Sequence, residues 1–270
     1  MAGAATVEKA LDVLFHLHEA GTALGLTEIG KALDLPKSSC HRLLSSLVDR
    51  EVVERDAGGH YRPGLALLSL GLGAQAREPV VAASRAILEA EVRAFGETVF
   101  VVAKRRGRLR VLDKLEGPGF LRASPDVGDV IPADVTAAGQ IDRVFGQIDE
   151  AGQGQDAKRD TDQDTDGRSD GAESSLYDDV RRAGYATNRD AWIDGLSVLA
   201  VPIWQGASGD APRLAAVLAL AAPSTRFETL GEVAIAERLL AAADDISARM
   251  DAGGSTGRRE RIPRIGRERR

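Results

Sequence analysis

The sequence predicts an α+β protein with two folded parts. The first 63 residues contain three helical patterns and then a β-hairpin pattern, and from residue 77 to residue 250 pairs of strands alternate with helices. A length of 270 residues is sufficient for two modest domains. With 43% hydrophobic and 28% charged residues, the chain can bury an apolar core and remain soluble.

Composition excludes several classes of protein. No run of about 18 uncharged apolar residues occurs, which argues against a membrane span. The N-terminus lacks a basic segment followed by an apolar one, so we expect no secretory signal and a cytoplasmic location. Cys40 is the single cysteine, which excludes an internal disulfide and a cysteine-rich zinc site. The sequence shows no metal-ligand cluster, cofactor motif or catalytic constellation.

Two helical patterns open the chain. The first follows Thr6, a candidate N-cap, and repeats apolar residues at helical spacing: Val7, Ala10, Leu11, Leu14 and Leu17. The second extends over residues 26–33 and can be capped by Thr27. Its expected inner stripe consists of Ile29, Ala32 and Leu33.

A third helix and a hairpin complete the first part. The helix starts at Pro36, where a missing N–H costs little, and runs to Arg50, burying Cys40, Leu43, Leu44 and Leu47. Strand patterns at 52–55 and 60–63 flank a turn at 56–59. Three helices followed by a two-stranded wing are typical of a winged helix-turn-helix, which we predict for residues 3–64.

The outer face of the third helix favours DNA binding. Short hydroxyl side chains let a helix approach DNA closely, and an arginine can bind guanine through two hydrogen bonds. The predicted DNA-contacting residues are Thr27, Lys37, Ser38, Ser39, His41, Arg42, Ser45, and on the wing Arg55 and Arg62. Ordinary solvated polar surface is the alternative interpretation. Because residues 1–75 carry a net charge of −2, binding would depend on this local face.

The second part follows a linker. The apolar pattern of residues 65–78 predicts a linker helix. A longer helix is predicted to begin at Pro79 and end at Phe95. Two strand pairs are predicted, 98–103 with 109–112 and 198–204 with 214–220. An amphipathic helix over 228–250 closes this part, and its expected anchors are Leu230, Val233, Leu240 and Ile246.

Two segments carry unbalanced charge. Residues 149–175 contain nine acids and three bases but no valine, isoleucine, leucine, methionine or aromatic residue, so we predict no ordered structure there. The tail over 251–270 contains seven arginines and is also predicted to be disordered. A phosphate-binding arm is the alternative interpretation of the tail.

Short motifs between residues 5 and 250 carry a family resemblance. They lie at 6–14, 26–44 and 61–64, and then at 184–186, 195–203 and 221–223. In sequence, order and spacing they resemble the IclR family of bacterial transcriptional regulators. The resemblance implies a winged helix-turn-helix, a linker helix and a GAF-like α/β effector-binding domain over 79–250, assembled as a homodimer or homotetramer.

The resemblance also implies a ligand site beside the helix that begins near residue 137. The matching positions in this chain are Ala138, Gly139, Asn188, Val198, Ala219 and Ala221. Because a helix N-terminus suits a carboxylate and most of these residues are small or apolar, we expect an aromatic or short aliphatic acid as effector. Close packing of helix on strand is the alternative explanation of the alanines. The chain departs from the family at Glu51, Gln140 and Ala191, where the family has glycine, lysine and an acidic residue.

We therefore expect a regulator that binds a double-stranded DNA operator and responds to a small organic effector, without enzymatic activity, cofactor, metal or membrane contact. The alternative hypothesis is an enzyme or small-molecule binding protein that retains a vestigial helix-turn-helix. The net charge of −2 in residues 1–75 and the presence of Glu51 keep this alternative open.

Overall fold

The computed structural model describes residues 2–119, 125–146, 169–206 and 212–256. The chain divides into two compact units, residues 1–76 and residues 77–270. Among the described helices, none is both long enough and apolar enough to cross a membrane.

The first unit combines helices with a small two-stranded sheet. Its elements in chain order are α1 (Ala2–Ala20), α2 (Leu26–Ala32), α3 (Lys37–Val48), β1 (Val53–Arg55), β2 (Tyr61–Pro63) and α4 (Leu65–Gln75). β1 and β2 pair antiparallel, with Glu54 opposite Arg62. This order confirms the predicted winged helix-turn-helix.

α1 buries the predicted Leu17, with the predicted Leu14 packed half-buried in the same core, but the rest of its buried row differs from the predicted one. Val13 and Leu17 lie in the core, whereas Val7, Leu11 and Phe15 are 46% to 62% exposed. The helix carries two apolar rows, so helical periodicity by itself could not decide which of them faces the core. The helix also begins at Ala2, before the expected cap at Thr6.

The cap of α2 also differs from the predicted one. Gly25 is the N-cap residue, and its N–H donates to the carboxylate of Glu28 at 2.6 Å. Thr27 therefore lies exposed in the first turn of α2 and does not cap it. A carboxylate three residues after the cap can reach back to the cap N–H, which is what Glu28 does here.

The inner side of α2 is formed partly by a glycine. Ala32, predicted to face inward, is exposed, while Gly30 is buried. A Cβ at Gly30 would lie 3.2 Å from the Leu35 carbonyl oxygen and 3.8 Å from the Cβ of Cys40. Because α3 and the turn before it approach α2 closely at residue 30, glycine is favoured at that position. A count of apolar residues in α2 does not predict this.

The turn after α3 holds a non-glycine residue in a left-handed conformation, since Glu51 has a φ of +58°. For a residue with a Cβ this conformation costs about 1–2 kcal/mol. Glycine avoids this cost but loses more backbone entropy on folding, which cancels part of the gain. We expect Glu51→Gly to raise the free energy of unfolding by about 0.5–1 kcal/mol, measured by urea denaturation. Glu51→Gln removes the charge and keeps the strain. An equal gain in both variants would contradict a conformational origin.

The second unit is built on one antiparallel sheet. Its strands are β3 (Thr98–Arg105), β4 (Arg108–Leu115), β5 (Val130–Ile131), β6 (Ala186–Arg189), β7 (Leu196–Gln205) and β8 (Arg213–Pro223). The strand order is β5-β4-β3-β8-β7-β6, and all neighbours run antiparallel. Both predicted strand pairs are present, and pairing of β3 with β8 joins them.

Helices cover both faces of this sheet. α5 (Pro79–Phe95) and α9 (Glu232–Thr256) pack on one face, and α6 (Ala137–Phe145) and α7 (Ser169–Ala183) pack on the other. Along β3, Val99 and Val101 face the first layer, while Phe100 and Val102 face the second. Because both faces are covered, the middle of each central strand is apolar on both sides, as in Val99–Ala103 of β3. The predicted α+β class is confirmed.

The C-terminal helix is interrupted. Gly231, with a φ of +82°, separates α8 (Ser224–Leu230) from α9, which replaces the single helix predicted over 228–250. Within α9 the buried row contains Ile235, Leu239 and the predicted anchor Ile246, whereas Val233, also a predicted anchor, lies off this row and is 66% exposed. α9 continues to Thr256, past the predicted start of the tail at residue 251.

α7 begins inside the segment that was predicted to lack order. Residues 169–175 are helical, because Val180 anchors α7 in the core and extending an anchored helix is easier than nucleating one. Residues 149–168 of the acidic segment and 257–270 of the arginine-rich tail lie outside the described residues.

Candidate DNA interface and effector pocket

α3 buries one side and exposes a polar side. Cys40 and Leu44 are fully buried, and Leu43 and Leu47 pack half-buried against the same core. On the opposite side Lys37, Ser38, His41 and Arg42 are exposed, and Ser39 and Ser45 lie half-buried at its edges. The structure thus brings together on one helix face the α3 residues predicted to contact DNA, and their contact with DNA stays a prediction.

The buried side of α3 fixes the helix in place. Pro36 is the N-cap residue, and its carbonyl accepts a hydrogen bond from the Cys40 N–H at 2.9 Å. The Cys40 thiol points toward the Leu26 carbonyl at 3.8 Å, and burial raises the pKa of this thiol. Cys40 therefore stays neutral at physiological pH and acts as a small packing residue, as the sequence predicts.

The two wing arginines are already engaged within the wing. The Arg62 guanidinium donates to Glu54 Oε2 from Nε at 3.1 Å and from Nη2 at 2.9 Å. Arg55 lies over the ring of Tyr61, 5.5 Å from its centroid. A phosphate at Arg62 must therefore compete with the Glu54 carboxylate, which makes Arg62 a weaker candidate than its charge suggests.

The wing turn is held by a local hydrogen bond. Asp56 Oδ1 accepts from the His60 N–H at 2.8 Å, and this bond lowers the pKa of the Asp56 carboxyl. The turn therefore keeps its shape over the physiological pH range. Within the part of the chain that the structure describes, Lys37 and Arg42 have no carboxylate within salt-bridge distance, so their charges face solvent.

A second candidate site lies in the second unit, between the sheet and α6. It is a cavity whose lining comes from β3, β5, α6, β6, β7 and the loop before β7: Phe100, Ile131, Thr136, Ala137, Ala138, Asn188, Trp192, Ile193, Leu196 and Val198. Thr136 and Asn188 contribute the polar side chains of this lining, and the others are apolar. Apolar walls with a few placed polar groups are typical of a site for small organic molecules.

The N-terminus of α6 faces this cavity. Thr136 caps the helix, since its Oγ1 accepts from the Gly139 N–H at 3.1 Å and donates to the Pro132 carbonyl at 2.6 Å. With Gly139 engaged by the cap, the N–H groups of Ala137 and Ala138 are the first-turn donors nearest the cavity. A carboxylate or carbonyl oxygen is the ligand group that this end of a helix favours.

Asn188 links two walls of the cavity. Its Nδ2 donates to the Val135 carbonyl, and its Oδ1 accepts from the Ala191 N–H at 3.1 Å. The side chain is 7% exposed and thus joins the loop before α6 to the loop after β6. Its amide group is therefore occupied in holding the cavity together.

The cavity contains little free space. Its free volume is about 20 Å³, close to what a single water molecule needs. Trp192 and Ile193 belong to a loop between two residues of positive φ, Asp190 at +57° and Gly195 at +77°. Because an aromatic or aliphatic acid needs several times this volume, the cavity has to widen before such a ligand can enter.

The predicted effector residues divide into two groups. Ala138, Asn188 and Val198 line the cavity, whereas Gly139, Ala219 and Ala221 are buried next to it without lining it. The sequence interpretation missed the other seven lining residues, which are Phe100, Ile131, Thr136, Ala137, Trp192, Ile193 and Leu196. For Phe100 the period-two alternation of β3 was an available signal, because Phe100 lies on the face opposite Val99 and Val101.

Removing the Asn188 amide is expected to loosen the cavity. Asn188→Ala leaves the Val135 carbonyl and the Ala191 N–H without this partner, so we expect the second unit to lose about 1–3 kcal/mol of stability in thermal unfolding. Thr187→Ala is the matched control, since Thr187 Oγ1 bonds Glu232 at 3.2 Å instead. If the two variants lose equal stability, Asn188 has no special role in joining the loops.

The two units define a class of protein that joins a DNA-binding fold to a ligand-binding fold. The model of the IclR helix-turn-helix domain matches residues 6–57, and that of the bacterial transcriptional regulator IclR C-terminal domain matches residues 73–248. The second match alone spans more than half of the chain, and the chain belongs to the IclR family.

Curated relatives support this assignment. The chain is 30% identical to the probable transcriptional regulator SauR of Cupriavidus necator over 138 residues, which are 51% of this chain and 55% of SauR. It is 26% identical to the HTH-type transcriptional regulator XynR of Escherichia coli over 231 residues, 83% of this chain and 88% of XynR. The matches to SauR and to KipR of Bacillus subtilis span about half the length of those proteins.

Solved structures share the fold. The IclR protein of Thermotoga maritima has a TM-score of 0.72 at 20% identity, covering 91% of this chain and 98% of that protein. An IclR homolog of Microbacterium hydrocarbonoxydans, solved in complex with 4-hydroxybenzoate, has a TM-score of 0.72 at 20% identity, covering 92% and 99%. At this identity the likeness concerns the fold.

Proposed function

We propose that this protein is a sequence-specific DNA-binding transcriptional regulator whose operator binding is modulated by a small-molecule effector. The observation that carries the proposal is α3, which is fixed on one side by buried Cys40 and Leu44 and presents an exposed polar face on the other. In a helix-turn-helix such a face enters the major groove, where Arg42 reads a base edge and Lys37 and the serines bind phosphates.

The proposed effector is an aromatic or short aliphatic acid. Its apolar body fits between Phe100, Val198 and Trp192, and its carboxylate meets the N-terminus of α6. The complex of the Microbacterium homolog with 4-hydroxybenzoate, an aromatic acid, supports this class. Effector entry displaces the 190–195 loop, and α4, which connects the two units in sequence, transmits the change to operator affinity.

The proposed assembly is a homodimer or homotetramer. On α1 the exposed apolar residues Val7, Leu11 and Phe15 recur every fourth position, and α4 exposes Leu65, Leu68, Leu70 and Leu72 by 55% to 68%. Exposed apolar residues grouped in this way are typical of protein interfaces. A dimer would also place two copies of α3 on the two half-sites of a pseudo-palindromic operator. Sedimentation of Phe15→Lys tests this assembly, which predicts a smaller oligomer than in the wild type.

Footprinting on the DNA upstream of the protein's own gene tests the function. A protected site that is lost or shifted when benzoate or 4-hydroxybenzoate is added supports the proposal. Calorimetry with a panel of aromatic and short aliphatic acids tests the effector, and absence of binding at millimolar concentrations rejects the proposed class. Ligand binding without any DNA protection would favour the alternative, a small-molecule binding protein or enzyme with a vestigial helix-turn-helix.

A further inference from the structure

The loop over residues 190–195 forms one side of the effector cavity. Trp192 and Ile193 lie in this loop and belong to the cavity wall. Because the cavity has a free volume of about 20 Å³, an acid with a ring or a chain binds only when part of the wall has moved. Most of the remaining wall belongs to strands and to α6, whose backbones are held by regular hydrogen bonds, so the loop is the part that moves most easily.

One carboxylate oxygen joins the two ends of this loop. Asp190 Oδ1 accepts from the Gly195 N–H at 2.9 Å and from the Ser224 hydroxyl at 2.8 Å. The Ser224 N–H in turn donates to the Gly195 carbonyl at 2.9 Å. The first and last residues of the loop are thereby tied to each other and to the start of α8.

A buried serine extends this network into the core. Ser197 on β7 is 1% exposed, and its hydroxyl oxygen lies 2.9 Å from that of Ser224. Because the Ser224 hydroxyl donates its proton to Asp190, Ser197 is the donor within the serine pair. Ser224 is therefore fixed from the core side and directs its own proton at the Asp190 carboxylate.

The middle of the loop is short and is bonded as well. The Ala191 N–H donates to Asn188 Oδ1 at 3.1 Å, and the Leu196 N–H donates to the Ile193 carbonyl at 3.1 Å. Residues 191–194 alone lie between the tied ends, so Trp192 leaves the cavity wall only if contacts at one end of the loop break.

The backbone of Asp190 depends on these contacts. Its φ of +57° lies in the left-handed region, which is costly for a residue with a Cβ, although aspartate tolerates it better than most residues do. The hydrogen bonds of the carboxylate hold Asp190 in this conformation. Once they break, Asp190 can return to an ordinary φ, which changes the direction in which the chain enters the loop.

We propose that Asp190 is a positioning residue that keeps the 190–195 loop closed over the empty cavity and thereby sets the affinity for the effector. This inference rests on the proposed function as an effector-responsive regulator. Asp190 does not contact the ligand but acts through Trp192 and Ile193. When a ligand binds only the open form, its apparent affinity falls in proportion to the fraction of protein that is open. Weakening the contacts of Asp190 therefore raises the affinity.

The test uses variants of the full-length protein that separate the carboxylate contacts from the left-handed backbone. Asp190→Gly removes the contacts and adopts this φ without strain. Asp190→Asn keeps an acceptor oxygen for the two uncharged donors and tolerates the same φ, so wild-type behaviour is expected. Asp194→Gly is the matched control, because it makes the same replacement at an exposed position of the same loop. Ser224→Ala removes one of the two donors and is expected to have a smaller effect than Asp190→Gly, in the same direction.

Loop opening is measured without ligand by hydrogen–deuterium exchange of a peptide that covers residues 190–196. The Ala191 and Leu196 N–H groups in this peptide are hydrogen-bonded in the closed loop. We expect them to exchange about tenfold faster in Asp190→Gly, the lower end for a hydrogen bond to a charged group, because exchange follows the open fraction. Acrylamide quenching of Trp192 is an independent measure in a Trp204→Phe background, since the sequence has two tryptophans. Calorimetry with 4-hydroxybenzoate is expected to show up to about tenfold tighter binding by Asp190→Gly.

The possible outcomes separate this inference from the proposed function. Exchange and quenching that are unchanged in Asp190→Gly, or that change equally in Asp194→Gly or Asp190→Asn, overturn the positioning role. Weaker binding of 4-hydroxybenzoate by Asp190→Gly also overturns it, because the carboxylate would then order the liganded loop rather than the empty one. If neither the wild type nor any variant binds an acid while exchange responds to Asp190→Gly alone, the contact of Asp190 is supported and the proposed effector class is rejected.

Discussion

Replacing Arg42 by alanine is expected to weaken operator binding by about 1–3 kcal/mol, roughly 5- to 150-fold in affinity. Arg42 is exposed on the polar side of α3, in the first turns of a helix whose other side is locked into the core. From this position its guanidinium can bind a guanine edge through two parallel hydrogen bonds. Fluorescence anisotropy with the footprinted operator measures the loss.

Two further variants separate base recognition from simple charge. Arg42→Lys keeps the charge but cannot form the bidentate pair, so its affinity is expected between those of the wild type and Arg42→Ala. Arg93→Ala removes an exposed charge from α5 and is expected to change affinity little. If Arg42→Ala binds cognate and mismatched operators with the same discrimination as the wild type, Arg42 does not read a base.

Adding a methyl group at Gly139 is expected to destabilise the second unit by about 3 kcal/mol, at the upper end for overpacking. A Cβ at this position would overlap the carbonyl oxygen of Ala133. The atoms nearest to it all belong to the backbone of Ala133, so no side chain can rotate away to make room. Relief requires the loop 132–136 to move away from α6, which also disturbs the Thr136 cap and the cavity mouth. Thermal unfolding measures the loss of stability, and calorimetry measures the accompanying loss of effector binding.

A glycine in open space is the matched control. Gly253 lies in α9, where an added Cβ meets no atom within 4 Å, so Gly253→Ala is expected to leave stability unchanged or raise it by up to about 1 kcal/mol through helix propensity. A Gly139→Ala variant as stable as Gly253→Ala would mean that the loop adapts without cost. In that case the glycine at this position would have no packing role beside the cavity.

Several features of the fold could be read from local sequence. Pro36 marks the start of α3, and Cys40 and Leu44 recur at helical spacing on its buried side. The remaining residues of the helix could therefore be assigned to the exposed face. The glycines at 58 and 59 identify the wing turn in the same way. The order of helices and paired strands was sufficient to predict the α+β class.

Other features depend on how separate strands and loops meet. The strand register of the wing places Arg62 opposite Glu54. The resulting ion pair partly neutralises Arg62, a residue predicted to contact DNA. Asn188 reaches Val135 across 53 positions, so its role in joining two loops could not be read from its neighbours. Trp192 looks like an isolated aromatic between two aspartates until the fold places it in the wall of the cavity that Phe100 and Val198 also line.

The sequence by itself determined the type and order of the elements, because helix period, strand period and turn chemistry are properties of short stretches. The tertiary structure alone decided which of the two apolar rows of α1 is buried and which apolar residues enclose the cavity. Such outcomes depend on which surfaces meet, and burial of apolar area favours any apolar row until a partner surface selects one.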